Sequence, residues 1–205
     1  MGEIHIDLFT SLDFVAQAPG RREEDLDGGF RFGGWQAPLS DELVGSQVLA
    51  GMDGLDALLL GRRTYDIFAS YWPLRTDPDN PIASLFNRVP KYVASRSALA
   101  LDWAGSELLS LDITKSVAEL RSRHQNIHVI GSLDFVQTLL HEQLFDRLNL
   151  WVYPVLLGSG KRIFADGAVP TSLRLTEPAV TSPAGVVALH YALVDGEPET
   201  ADMTD

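Results

Sequence analysis

Four consecutive residues, Gly61, Arg62, Arg63 and Thr64, end a run of three leucines and open a helical pattern, "LLLGRRTYDIF". A buried strand that stops at glycine and runs straight into a helix leaves backbone N–H groups unpaired at the positive end of the helix dipole, where an anion binds. Arg62 and Arg63 add planar, bidentate donors suited to phosphate, and Thr64 adds a hydroxyl that also serves as a cap. Related chemistry recurs twice. Ser95, Arg96 and Ser97 follow the strand-like "KYVA", and Gly131 and Ser132 follow "IHVI" and open the helical "LDFVQTLL". Ligands of open α/β sheets sit outside the carboxyl ends of strands, so each segment is a plausible phosphate grip. Each alone has a plainer reading, a glycine turn with solvated charge. Together they suit a dinucleotide with a pyrophosphate and an additional ribose phosphate.

The balance of charge narrows the partners. Sixteen basic against 28 acidic residues give a net charge of −12 over 205 residues, so nucleic acid and anionic membrane would meet repulsion. With no cysteine there is no disulfide and no thiolate metal site. His124 and His128 are four apart but fall at a helix end and in a strand, and the other histidines are scattered, so no metal constellation is expected. Neither "GSLDF" nor "GSGK" forms a nucleophile elbow. The N-terminus lacks a signal-peptide layout and no apolar run reaches membrane-spanning length, which points to a soluble, cytoplasmic protein.

The elements that must position these residues alternate strand and helix, the pattern of an α/β sheet. "EIHIDLFTS" reads as the first strand. Residues 16 to 38, rich in glycine, proline and charge, read as a lid or binding loop. Ser40 or Asp41 can cap a helix carrying Val44, Val48 and Met52, and "DALLLG" is a buried strand. Tyr65, Phe68, Ala69 and Trp72 form one helical face that stops before Pro73. Ile82, Leu85, Phe86 and Val89 mark a further helix, "KYVAS" a strand, "DITKSVAELRSR" a helix, "IHVIG" a strand and "SLDFVQTLLHE" a helix. "RLNLWVYPVLL", "LRLTEPAVT" and "GVVALHYALV" read as successive strands, the last two joined by "SPAG" as a hairpin. Residues 1–194 are expected to form one domain, and 195–205 an acidic, disordered tail.

The ordered set "LLLGRRTYDIF", "YVASRS", "VIGSLDFVQTLL" and "LWVYPVLLGSGKRIF" resembles the reductase domains related to dihydrofolate reductase and to the reductase half of the bifunctional riboflavin-synthesis enzyme, from about Ile4 to Leu193. The resemblance implies a three-layer α/β fold, with a mixed, mostly parallel sheet, flanking helices and a C-terminal antiparallel hairpin. It also implies NADPH across the strand ends. By position, Gly61, Arg62, Arg63 and Thr64 would hold cofactor phosphates, Ser95 and Arg96 the adenosine side, and Gly131, Ser132 and Leu133 the pyrophosphate and nicotinamide side. "GSGK" matches a loop that would shape the mouth of the site. Asp13, in the family's "SLD" position, would touch substrate or feed a proton, and its alternative is a turn cap. Two departures stand out: many relatives carry a glycine where this chain has Phe14, and a second or third glycine where Ser132 and Leu133 stand, and Leu133 would crowd a pyrophosphate.

Gln17, Trp35, Tyr65 and Trp72 are candidates to line a flat pocket by stacking, although helical spacing favours core packing for Tyr65 and Trp72. The implied function is hydride transfer from NADPH to a C=N or C=O bond of a small, nitrogen-heterocyclic substrate (pterin-, pyrimidine- or flavin-like), in the manner of the phosphoribosylaminouracil reductases or the folate reductases. A non-catalytic ligand-binding protein with a closed cofactor groove is the alternative. The family also implies a homodimer, for which the apolar C-terminal strands are candidates.

Overall fold

The computed structural model describes residues 1–164 and 168–203. Its strands are β1 (Glu3–Ser11), β2 (Ala57–Gly61), β3 (Lys91–Ala94), β4 (Ser106–Leu108), β5 (Asn126–Ile130), β6 (Arg147–Tyr153), β7 (Ser172–Leu175), β8 (Val180–Thr181) and β9 (Val187–Val194). The helices are α1 (Glu42–Gly51), α2 (Arg62–Ala69), α3 (Pro81–Arg88), α4 (Ile113–Arg123) and α5 (Leu133–His141). The strands form one sheet in the order β4-β3-β2-β5-β1-β6-β9-β7, with β8 also paired to β9. From β4 to β6 every pairing is parallel; β6, β7 and β8 all meet β9 antiparallel. The mixed, mostly parallel sheet with a C-terminal antiparallel unit is as expected.

Alternation along the strands divides the core into two layers. Ile4, Ile6 and Leu8 of β1 pack with Val117 and Leu120 of α4 and Phe135, Val136 and Leu139 of α5. Phe9, on the opposite face of β1, packs with Val44 and Val48 of α1, Tyr65 of α2 and Phe86 of α3. Each such leucine, isoleucine or phenylalanine removed from water contributes roughly 1.5–3 kcal/mol, and this spacing selects helix on both faces of the sheet.

Three elements differ from the sequence reading. α2 begins at Arg62, with Gly61 as its N-cap, two residues before Thr64, and it ends at Ala69; Trp72 opens a separate 3-10 turn, Trp72–Leu74. Pro73 lacks an N–H and disfavours helical backbone in the residue before it, so the helix cannot run through. "LRLTEPAVT" is two strands, β7 and β8, because Pro178 has no N–H to give to β9. β4 follows no apolar pattern, and its three residues are held at the sheet edge by pairing with β3.

Residues 16–38 are irregular, as expected, with 3-10 turns at Asp27–Gly29 and Ala37–Leu39, yet Ala16, Ala18, Phe30 and Trp35 are all buried. Residues 195–203 join no helix or strand, and Thr204 and Asp205, the end of the tail expected to be disordered, lie outside the described residues. No helix among the described residues is long and apolar enough to cross a membrane.

Candidate functional site

Because β3, β2, β5 and β1 are parallel neighbours, their carboxyl ends lie side by side, and a cleft of about 1230 Å³ opens there. Gly61–Thr64, Ser95–Ser97 and Gly131–Asp134 all line it. The three segments, separated by up to about seventy positions in the chain, are thus brought together.

Helix capping sets this edge apart. α1, α3 and α4 are each closed by a side chain at the N-cap: Asp41 accepts from the Val44 N–H, Asn80 from Ala83 and Asp112 from Lys115. α2 and α5, which start at the cleft ends of the neighbouring strands β2 and β5, have no side-chain cap, whereas α4, whose first residue Ile113 also borders the cleft, keeps its Asp112 cap. The first N–H groups and dipole ends of α2 and α5 are therefore available to a ligand. The two starts are tied together, since the Gly61 N–H donates to the Ser132 Oγ at 2.7 Å, which takes the serine hydroxyl away from capping its own helix. Gly131 (φ 67°) and Ser132 (φ 61°) are both left-handed, a conformation that glycine adopts freely and serine only at a cost. A Cβ on Gly61 would lie 3.1 Å from the Cβ atoms of Phe135 and Ser132, so the close crossing of β2 with α5 favours glycine, and a larger residue would push the helix away by a few tenths of an ångström.

The charged residues are not idle. Arg62 pairs with Asp66 at 2.8 Å, one turn along α2. Arg63 reaches across to Asp25 (2.7 Å) and to Asp27 of the long loop, and Lys161 meets the same two carboxylates at 2.7 and 2.9 Å. Hydrogen bonds from Arg63 and Lys161 hold the Asp27 carboxyl down at about 2. Burial on its own would raise Asp25, but the Lys161 hydrogen bond, the Asp27 N–H and the Arg63 charge outweigh it and the net shift is downward. Ser95 closes a turn, accepting from the Ser97 N–H and donating to its carbonyl, and so presents Arg96 at the rim.

The expectation that Asp13 faces the substrate is not met by its position. Its carboxylate accepts from the backbone N–H groups of Leu157 (3.1 Å) and Gly158 (2.8 Å) and from the Ser11 hydroxyl (2.6 Å), and it lies outside the cleft lining. It clamps the loop after β6, the turn-capping alternative. Trp35 and Tyr65 are also outside the lining. Trp35 is buried edge-on to Tyr153 and donates to the Gln17 carbonyl, and the Tyr65 hydroxyl accepts from the Trp103 N–H in the core. Gln17 and Trp72 do line the cleft. The Gln17 side chain is committed, however, donating to the carbonyls of Asp25 and Asp27 and accepting from the Lys161 N–H. Phe14 sits in left-handed backbone (φ 60°) against Phe164, away from the cleft. Leu133 lines the cleft without closing it.

Sequence reasoning missed Asp7. It is 2% exposed, faces the same side of β1 as Phe9 and lines the cleft. One carboxylate oxygen meets the His128 Nδ1 at 2.6 Å and the other accepts from the Asn149 amide at 2.8 Å, while the Asn149 oxygen contacts the His190 Nδ1 at 2.9 Å. His5 stacks on His128 with ring centroids 4.5 Å apart. Five polar side chains thus cross four adjacent strands on one face of the sheet. An alternating "HID" at the start of a chain signals a strand, and only the register between strands shows that its aspartate meets a histidine 121 positions away.

Comparison with known proteins agrees with this architecture. The chain is 28% identical over 143 residues to the uncharacterized protein YyaP of Bacillus subtilis (strain 168), covering 68% of this chain and 75% of that one. A putative riboflavin biosynthesis protein from Shewanella sp. PV-4 superposes with a TM-score of 0.71 at 21% identity, covering 94% of this chain and 99% of the other. A pyrimidine reductase-like protein from Corynebacterium diphtheriae superposes with a TM-score of 0.61 at 17% identity, covering 95% and 93%. The strand order, the paired helix starts at its parallel edge and a match of residues 3–187 to the family model agree: the chain belongs to the RibD C-terminal domain family.

Proposed function

We propose that the protein is an NADPH-dependent reductase that transfers hydride to a C=N or C=O bond of a small nitrogen-heterocyclic substrate. Membership of the RibD C-terminal domain family is consistent with a reductase-type role. The observation that carries the finer reading is that, among the described residues, the two α-helices without side-chain caps are α2 and α5, which start side by side at the cleft ends of the neighbouring strands β2 and β5. Paired, uncapped helix starts beside glycines that admit close approach fit the phosphates of a dinucleotide. Gly61, Arg62 and Thr64 on one side and Gly131, Ser132 and Leu133 on the other would hold the pyrophosphate region, with Ser95 and Arg96 at the adenosine end. When bound, NADPH supplies the hydride.

The chain's own contribution is to hold the second ring, exclude water and manage a proton. Val48, Met52, Phe68 and Trp72 give the cleft an apolar wall against which a planar ring can lie. Asp7 is the carboxylate placed to serve as the acid–base group, a role moved here from Asp13. Each of its oxygens makes one hydrogen bond within the protein, to His128 or Asn149, which fixes the carboxylate and leaves lone pairs for a ligand N–H. The family's homodimer stays part of this proposal, and light scattering on purified protein tests it.

The test is NADPH oxidation, followed by absorbance, with aminouracils, dihydropterins and flavins as acceptors. Turnover with one ring class, reduced by Asp7→Asn while NADPH affinity holds, supports the reading. No oxidation with any acceptor, together with no NADPH binding, overturns it in favour of a binding protein.

A further inference from the structure

The four-charge cluster of Arg63, Lys161, Asp25 and Asp27 has a symmetry that a chance surface contact lacks. Asp25 gives one carboxylate oxygen to Arg63 and the other to Lys161, each at 2.7 Å, and a single oxygen of Asp27 bridges the same two cations. The cations come from different elements, the start of α2 and the loop after β6, and Arg63, Lys161 and Asp25 all line the cleft. Two converging cations that share three oxygens present the donor set of a phosphate or carboxylate site.

The framework beneath rests mainly on uncharged bonds, with one contribution from the Asp25 Oδ1, which also accepts from the Asp27 N–H at 3.1 Å. Gln17, 2% exposed, donates to the backbone carbonyls of Asp25 and Asp27 and accepts from the Lys161 N–H at 3.0 Å. Trp35 in turn donates to the Gln17 carbonyl at 2.9 Å. The Lys161 backbone and most of the loop path are therefore fixed by Gln17 and Trp35, and an asparagine at position 25 keeps an oxygen for the Asp27 N–H. The side chains of Arg63 and Asp27 are each 51% exposed. Water screens an ion pair at such exposure, so this pair can change its anion at little cost to the fold, while Asp25 and Lys161, 11% and 27% exposed, need an incoming anion that makes equivalent bonds.

We propose that Arg63 and Lys161 form an anion subsite on the cleft wall, for a phosphate or carboxylate group of the ligand, and that the side chains of Asp25 and Asp27 occupy it until that group displaces them. In a chain of net charge −12 this arrangement keeps two cations neutralised when the cleft is empty and exposes them only in exchange for another anion. The exchange is selective, because a neutral or singly anchored group cannot replace carboxylates that bridge both cations. The proposal rests on the reductase reading only in taking the anion to belong to the cleft's ligand.

Inorganic pyrophosphate is the probe, titrated by calorimetry at low salt. Asp25→Asn/Asp27→Asn should bind it at least about tenfold more tightly than the parent, and adding Lys161→Gln should abolish the gain. No gain in the double variant, or a gain that survives Lys161→Gln, overturns the proposal. If the double variant does not fold, the parent decides: its thermal midpoint should rise with pyrophosphate by more than that of Lys161→Gln, which keeps only the helix starts, and equal responses overturn the proposal. Competition of NADPH with the pyrophosphate binding that Lys161→Gln removes would assign the subsite to the cofactor, and persistence of that binding beside NADPH would assign it to the substrate. A gain in pyrophosphate binding by a protein that does not bind NADPH would refute the cofactor reading and leave the subsite standing.

Discussion

The Gly61 N–H and the Ser132 Oγ, 71 positions apart in the chain, are joined by a 2.7 Å hydrogen bond that locks the start of α2 to the start of α5. Ser132→Ala leaves that N–H without its partner, at a cost of about 1–3 kcal/mol. Ser132→Gly loses the same bond but relieves the left-handed backbone, so it should cost less. Urea denaturation of both variants checks the order, and both should weaken NADPH, because the helix starts lose their mutual register.

Asp13 is a clamp and Asp7 is the group in the cleft. Asp13→Ala should destabilise by about 1–2 kcal/mol, by freeing the Leu157 and Gly158 N–H groups, and leave turnover per folded molecule nearly unchanged. Hydrogen bonding to the Asp13 carboxylate outweighs burial and lowers its folded pKa below the unfolded value. Its stabilisation is therefore present above the unfolded pKa, near 3.8, and is lost as pH falls through the folded pKa, so Asp13→Asn should melt with a flatter acid limb than the parent.

Asp7→Ala removes the partner of both His128 and Asn149 inside the sheet, and a loss of about 2–4 kcal/mol is expected. Asp7→Asn keeps the shape and should lose less, so it is the variant for separating proton handling from stability. Thermal melts of the pair check the ranking.

Lys91 is fully buried, its ammonium held by the carbonyls of Asn87 and Ala104 and lying over the Trp103 ring at 4.4 Å. Burial lowers its pKa from 10.5 to about 8. Between these values the unfolded chain binds more protons than the folded one, so this group makes stability rise with pH from about 8 towards 10, by up to about 1.4 kcal/mol per unit. Lys91→Met should show no such rise; urea midpoints at pH 7, 8.5 and 9.5 compare the two.

What was legible in the sequence was local. The strand-glycine-helix joints at Gly61 and Gly131 were readable because periodicity changes there, and because glycine marks the one backbone geometry that the joint admits. Their convergence on one cleft was inferred from order and resemblance, and the sheet order supplies it directly. The histidines looked scattered and Asp7 drew no reading, because strand pairing, which no spacing rule encodes, is what joins Asp7, His128 and His190. The Arg63 clasp was invisible for a related reason: its aspartates lie in an irregular loop whose path is set by Gln17 and Trp35, two residues that read as ring-binding candidates. β4 was missed because its three residues carry no alternation and owe their conformation to β3.

The most direct test of the account is a calorimetric titration of the purified protein with NADPH and with NADH, repeated on Arg96→Ala. The account predicts NADPH binding on the order of micromolar, with NADH clearly weaker and the preference reduced by Arg96→Ala. Absence of binding by either nucleotide would contradict it, and would mean that the two uncapped helix starts serve some other anion.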